Sequence, residues 1–169
     1  MNKNVLSLIK AQHDSLRESM KVLKEENIVS SAKIKHLERF IKILKMHSEA
    51  EENTLYSVMK DLENDEMIIL EALEEHRIAK ELITDLEDMN YKNNWTNETT
   101  AKAKVLAEMV EHHADEEEDE VFSEARRNFT SFELEGLGDE FQRICDDFET
   151  KEEPGVATSE MEQQENIPV

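Results

Sequence analysis

Apolar residues recur every three or four positions through most of the chain. They do so in blocks much longer than a strand, which predicts amphipathic helices. The first block spans about 5–24, with Val5, Ile9, Leu16, Met20 and Leu23 on one face. After a polar stretch at 26–31, a second block covers about 32–61 with the stripe Ile34, Leu37, Ile41, Leu44, Leu55 and Val58. Asn64 and Asp65 break the pattern, and a third block over about 67–89 carries Ile69, Leu73, Ile83 and Leu86. Residues 90–94 form the next break, and Thr96 stands as the N-cap of a fourth block over about 97–126. Thr130 and Glu133 have capping-box spacing and predict a shorter fifth helix ending near Glu149, with Cys145 on it as a small buried or half-buried residue. Beyond Thr150 the periodicity stops and Pro, Gly, Ser and Gln enter, which reads as a disordered acidic tail. Residues 1–149 are therefore expected to form an all-α domain, and 150–169 the tail. The domain reads as an up-down-up-down four-helix bundle with a short fifth C-terminal helix packed outside it or across one end.

Composition supports this class and narrows the function. There are three Gly and two Pro, and both Pro (Pro154 and Pro168) lie in the tail, so nothing forces a break before it. The 41 acidic residues against 20 basic give a formal net charge of -21, which repels a phosphate backbone or an anionic membrane surface. No apolar run is long enough to span a bilayer, and no signal-peptide pattern stands at the N-terminus. The single cysteine excludes an internal disulfide and any multi-cysteine metal site, and a reducing cytoplasm is the expected location. The Asn-x-Thr triplets at Asn94, Asn97 and Asn128 then carry no meaning.

The informative positions are those where the apolar stripe is violated. The series 9, 13, 16, 20 passes through His13, and 44, 47, 51, 55, 58 passes through His47 and Glu51. In the third block the stripe passes through His76, and in the fourth, 106, 110, 113, 117, 121 passes through His113 and Glu117. Each long helix thus points one histidine inward, and two add a glutamate one turn on. Buried carboxylates and imidazoles without partners are strongly destabilising, and a pair of cations would supply the partners. Four nitrogens and two carboxylates suit two first-row ions bridged by the glutamates. The order also repeats: His13, His47-x-x-x-Glu51, then His76, His113-x-x-x-Glu117. HSEAEENTLY (47–56) and HADEEEDEVF (113–122) share His, a Glu-Glu pair and a terminal aromatic in register. This is an internally repeated helix hairpin, and it predicts a site with pseudo-two-fold symmetry.

The remaining polar residues read more plainly. His36 lies off the stripe and reads as a surface histidine. His112 also has a glutamate four residues on, Glu116, but the stripe and Phe122 favour His113, leaving His112 as a supporting partner or without a role. The run 116–120 reads as a solvated face with Glu117 alone turned inward. Tyr56 and Phe122 read as core packing rather than redox participants.

The segments AQHDSLR (11–17), HSEAEENTLY (47–56), LEEHRIAKEL (73–82) and HHADEEEDEVF (112–122) resemble the hemerythrin-like, HHE cation-binding family, over about residues 5–148. The resemblance implies a non-haem di-iron centre in a four-helix bundle, acting on dioxygen, nitric oxide or peroxide. His13 and His47 would bind one iron, His76 and His113 the other, and Glu51 and Glu117 would bridge both. Two Fe ions with an oxo, hydroxo or water bridge are the implied cofactor; carboxylates and imidazoles alone do not choose between iron and zinc or manganese. The oxygen-carrier members place a second histidine four residues from the third-helix ligand, whereas here those positions are Ala72 and Lys80. The carriers also have a longer-spaced Asp where this chain has Glu117. Reversible carriage is therefore disfavoured, and the set looks more like the bacterial hemerythrin-like and iron–sulfur-cluster repair proteins. The latter usually carry a cysteine-bearing N-terminal segment, which is not found here. The expected function is a monomeric metal-binding protein that binds or senses dioxygen or a related small ligand. The alternatives are an oxidoreductase turning over peroxide or nitric oxide, a cluster-repair iron donor, or an iron store. With no fused output domain, a sensor would need a protein partner, on which the residues are silent.

Overall fold

The computed structural model describes residues 4–62 and 66–152. The described residues are helical, with no strand among them: α1 (Val5–Lys24), α2 (Ser30–Asn53), α3 (Leu55–Met59), α4 (Glu66–Asp88), α5 (Asn97–Glu116), a π-helical turn (Glu117–Val121), α6 (Phe122–Asn128) and α7 (Ser131–Glu152). The break expected at Asn64 and Asp65 lies outside the described residues, as does the expected tail from residue 153 onward. Residues 150–152, assigned to that tail by their composition, instead continue α7.

The starts and stops follow local chemistry. Asn4 caps α1, its side chain accepting from the Leu6 amide at 2.9 Å, and Lys21 and Lys24 complement the dipole at the other end. Thr96 caps α5 in a reciprocal capping box with Thr99. The expected box at α7 is formed too: the Thr130 amide donates to the Glu133 carboxylate (2.8 Å) and the Glu133 amide to the Thr130 hydroxyl (3.3 Å). Two blocks that the periodicity reads as continuous are interrupted. The second turns at Thr54 (φ -121°, ψ -93°), and the fourth widens into the π turn, where the Phe122 amide donates to the Glu117 carbonyl five residues back.

α1 packs on α2 and α5, and α4 on α5, closing the four-helix bundle expected from the short connections. α7 lies along α1 and α2, burying Leu134, Phe141 and Cys145 against them. The stripes define the core, but as two clusters rather than one. One gathers Val5, Ile9, Leu55, Tyr56, Ile69 and Phe122. The other gathers Leu16, Leu37, Phe40, Ile83, Leu106 and Val110. Along α1, α2, α4 and α5 with its π turn, the two sets are separated by the histidine positions, so a polar layer crosses the bundle between them.

Leu106, fully buried in the second cluster, should cost about 2–5 kcal/mol on truncation to Ala. Val105, 52% exposed on the next position, should change stability by no more than about 0.5 kcal/mol. Thermal unfolding of L106A and V105A checks both; equal losses would mean the face of α5 is misassigned.

Candidate metal centre

The polar layer is built from the six residues that violate the stripes. His13 (α1), His47 and Glu51 (α2), His76 (α4), His113 (α5) and Glu117 (π turn) are all buried, none more than 5% exposed. They form two groups of potential metal ligands. His13, His47, Glu51 and Glu117 offer atoms within 4.8 Å of one another, and so do Glu51, His76 and His113. Glu51 belongs to both groups. His47 Nε2 lies 3.1 Å from one of its oxygens and His76 Nε2 3.5 Å from the other. Glu117 lies 3.1 Å from His13 Nε2. The Nε2 atoms of His76 and His113 approach to 3.1 Å. The two histidine pairs match in shape as well, with ring centroids 4.9 Å apart in one and 4.8 Å in the other, both edge to face.

Each histidine has its outer nitrogen, Nδ1, fixed by an acceptor. His13 meets Glu118 at 2.9 Å, His47 meets Gln12 at 2.9 Å, His76 meets Glu52 at 3.0 Å and His113 meets Glu75 at 2.7 Å. With Nδ1–H donating outward, each Nε2 lone pair points into the layer, the tautomer that a metal-binding histidine requires. The four acceptors obey the repeat. Gln12 and Glu75 each precede the histidine of an odd hairpin helix, and Glu52 and Glu118 each follow the glutamate of the next. Three are carboxylates and one is an amide. Gln12 in turn donates from Nε2 to the Cys145 sulfur at 3.4 Å.

The aromatics of the repeat are placed alike: Tyr56 stacks on His76 (5.5 Å) and Phe122 on His13 (6.4 Å). Both are buried packing residues, as expected. The Tyr56 hydroxyl has no hydrogen-bond partner; burial, then the charges of Glu117 and Glu51, holds it well above the ordinary phenol range, so it remains a donor.

The electrostatics show what the layer lacks. Burial, followed by the neighbouring Glu117 charge, pushes Glu51 well above the ordinary carboxylate value. Glu117 feels the same burial, but contact with His13 and the charge of His113 outweigh it and hold the carboxyl down. Burial and the other three imidazoles push His47 well below its ordinary value. Outside the layer, partial burial of Glu118 is overcome by Arg17, His13 and Lys10, which hold it at about 2. His13 Nε2 lies 3.1 Å from Glu117, and Glu51 lies 3.1 Å from His47 Nε2 and 3.5 Å from His76 Nε2, yet neither His13 Nε2 nor either oxygen of Glu51 or of Glu117 makes a hydrogen bond of acceptable geometry.

The hemerythrin HHE cation-binding domain family model matches residues 4–125. That is more than half of the 169 residues. The chain belongs to the hemerythrin HHE family. The match takes in all six polar-layer residues and ends within α6, short of the reach to about 148 that the motifs suggested, so α7 and Cys145 lie beyond it. No curated protein and no solved structure matches the chain. Family membership and the buried His/Glu groups together identify a site able to hold metal ions.

The four Nδ1 acceptors were not singled out by the sequence. The repeated Glu-Glu pair was visible, but its second member was assigned to the solvated face; Glu118 instead sits only 21% exposed against His13. Its counterpart Glu52 is placed alike on regular α2, 25% exposed and 3.0 Å from His76 Nδ1. His36 is half-buried on α2 and is not brought to the layer. His112 is exposed and pairs with Glu116 at 3.1 Å.

In metal-free protein the buried Glu51 carboxyl opposes folding once pH rises above the ordinary carboxylate value of 4.5, since the unfolded chain ionises there and the folded one resists. E51Q should therefore raise the melting temperature of chelator-treated protein at neutral pH, with the gain fading as pH falls toward 4.5. A variant less stable than the parent across the whole range would refute this.

Proposed function

We propose that the polar layer holds two iron ions and that through them the protein binds or senses a small neutral ligand, dioxygen, nitric oxide or peroxide. The observation that carries this reading is the set of orphaned buried atoms: His13 Nε2 and four carboxylate oxygens, all directed into one layer. Leaving a buried carboxylate unpaired costs several kcal/mol, and cations would remove that penalty while keeping the glutamates ionised. The donors are imidazole and carboxylate with no thiolate, which suits first-row ions. Two nitrogens each bound at about 2.1 Å and at right angles to one ion stand about 3 Å apart, comparable to the His76–His113 approach of 3.1 Å. His13 and His47 would hold one ion and His76 and His113 the other, with Glu51 and Glu117 joining them. Iron bound there would supply a one-electron redox couple and coordination positions beyond those the protein fills.

The chain's own part is orientation, exclusion and charge. The Nδ1 acceptors fix the rings, and the apolar clusters on either side keep bulk water from the layer. A cavity of about 110 Å³ reaches His113 and Glu117 between α4 and the π turn, enough for a diatomic or a few waters but not an organic substrate. Four glutamates besides Glu117 line it, so anions are repelled and neutral ligands admitted. That selectivity favours dioxygen or nitric oxide over azide or superoxide. The Tyr56 hydroxyl stands beside the glutamates as an unused hydrogen-bond donor.

The test is an anaerobic ferrous titration followed by air and then degassing. Two irons per chain and an oxygen-dependent charge-transfer band that vanishes on degassing would support a binder or sensor. A band that persists would favour the oxidoreductase alternative, and turnover assays would follow. Failure to take up iron would overturn the reading. E51A and E117A should each lose the coupled pair. H36A should retain it, since His36 lies eleven residues before His47, about 16 Å along α2.

A further inference from the structure

Two residues lining the cavity that reaches the polar layer, Glu75 and Glu116, belong with the neighbouring His112 to a second group of potential ligands. Glu75, His112 and Glu116 each present one ligand atom, and these lie within 4.8 Å of one another. His112 Nε2 is 3.1 Å from Glu116, and both residues are exposed on the last turn of α5. Glu75 and Glu116 line the cavity together with Glu71 and Glu120, and no Lys or Arg among the described residues does. At the inner end stands Glu117, 1% exposed, with neither carboxylate oxygen hydrogen-bonded. Glu75 connects this exposed group to the buried layer, since its carboxylate also accepts from His113 Nδ1 at 2.7 Å.

We propose that Glu75, His112 and Glu116 form a weak, exposed binding site for a divalent first-row metal ion, through which such an ion passes along the acidic cavity to Glu117 and the buried centre. This rests on the reading that the buried layer holds metal. One imidazole and two carboxylates suit the same ions as the inner ligands, while exposure leaves most coordination positions to water, so the ion is held loosely enough to move on. The acidic walls concentrate cations at the opening and offer the unpaired Glu117 oxygens as the next ligands inward. The arrangement also gives His112 a chemical role that the periodicity of α5 does not reveal.

The experiment compares the full-length chain with the H112A/E116Q double variant. Both altered side chains are exposed, so circular dichroism and melting temperature should be unchanged, and E116K alone supplies a second variant that inverts charge at the same place. Three readouts are taken. Electron paramagnetic resonance of added Mn2+, on protein whose buried centre has been filled with iron, counts weak outer ions. Anaerobic stopped-flow mixing with ferrous iron gives the uptake rate, and metal analysis gives the final iron content. The expected result is one weak Mn2+ site in the parent that disappears in the double variant. Iron uptake should be about tenfold slower in the variants, the order expected when a focusing charge is removed. The final iron content should be equal. No Mn2+ site in the parent, or equal uptake rates, would overturn the proposal while leaving the buried centre intact. Absence of iron from both proteins would overturn the proposal together with the reading beneath it.

Discussion

The structure turns on one problem of solvation: a layer of four imidazoles and two carboxylates lies across the middle of a helical bundle, between two apolar clusters. The helices must pack closely above and below it to hide the leucine and phenylalanine faces, and the same packing strips water from Glu51 and Glu117. Histidines can be satisfied by their outer nitrogens, and here all four are. Both oxygens of each glutamate are instead buried without a hydrogen bond. Their charge is compatible with the fold only if something positive sits between them, or if a proton does.

That constraint explains why the support lies where it does. Arg17 reaches Asp115 at 2.6 Å and Glu118 at 2.7 Å, and Lys80 reaches Glu52 at 2.8 Å. As partly exposed ion pairs these contribute little to stability. Their effect is positional: they hold the carboxylates that hold the imidazoles. Of the two departures from regular helix, the break at Thr54 falls just after Glu51 and the π turn begins at Glu117 itself. There the chain leaves one helical register and enters another. Glu51 and Glu117 therefore keep to the layer while Tyr56 and Phe122 return to the core behind it.

Most of the bundle was legible in the sequence because burial with a 3.6-residue period writes itself into composition. The stripes Val5, Ile9, Leu16 and Met20, or Leu37, Ile41 and Leu44, are buried as read, and the six polar exceptions were visible against that background. Two things were not legible, for physical reasons. A π turn or a one-residue break leaves the apolar pattern almost intact, so periodicity read the second and fourth blocks as unbroken. The residues that bind Nδ1 do so across helix pairs. Gln12 serves His47 and Glu118 serves His13, and no spacing within one helix encodes which neighbour it will meet. In a chain this rich in glutamate, Glu52, Glu75 and Glu118 look like the solvated residues around them.

The two hairpins contribute equally to the layer, α1–α2 giving His13, His47 and Glu51 and α4–α5 with its π turn giving His76, His113 and Glu117. As separate peptides, two such hairpins would complete the site only by finding each other, and the site would dissolve on dilution. Joined between α3 and α4, the second half meets the first at an effective concentration of about the millimolar order, whatever the abundance of the chain. Covalent linkage has another result. Two copies of one hairpin must be identical, whereas the halves of a single chain can differ, and they do where Gln12 faces His47 and Glu75 faces His113.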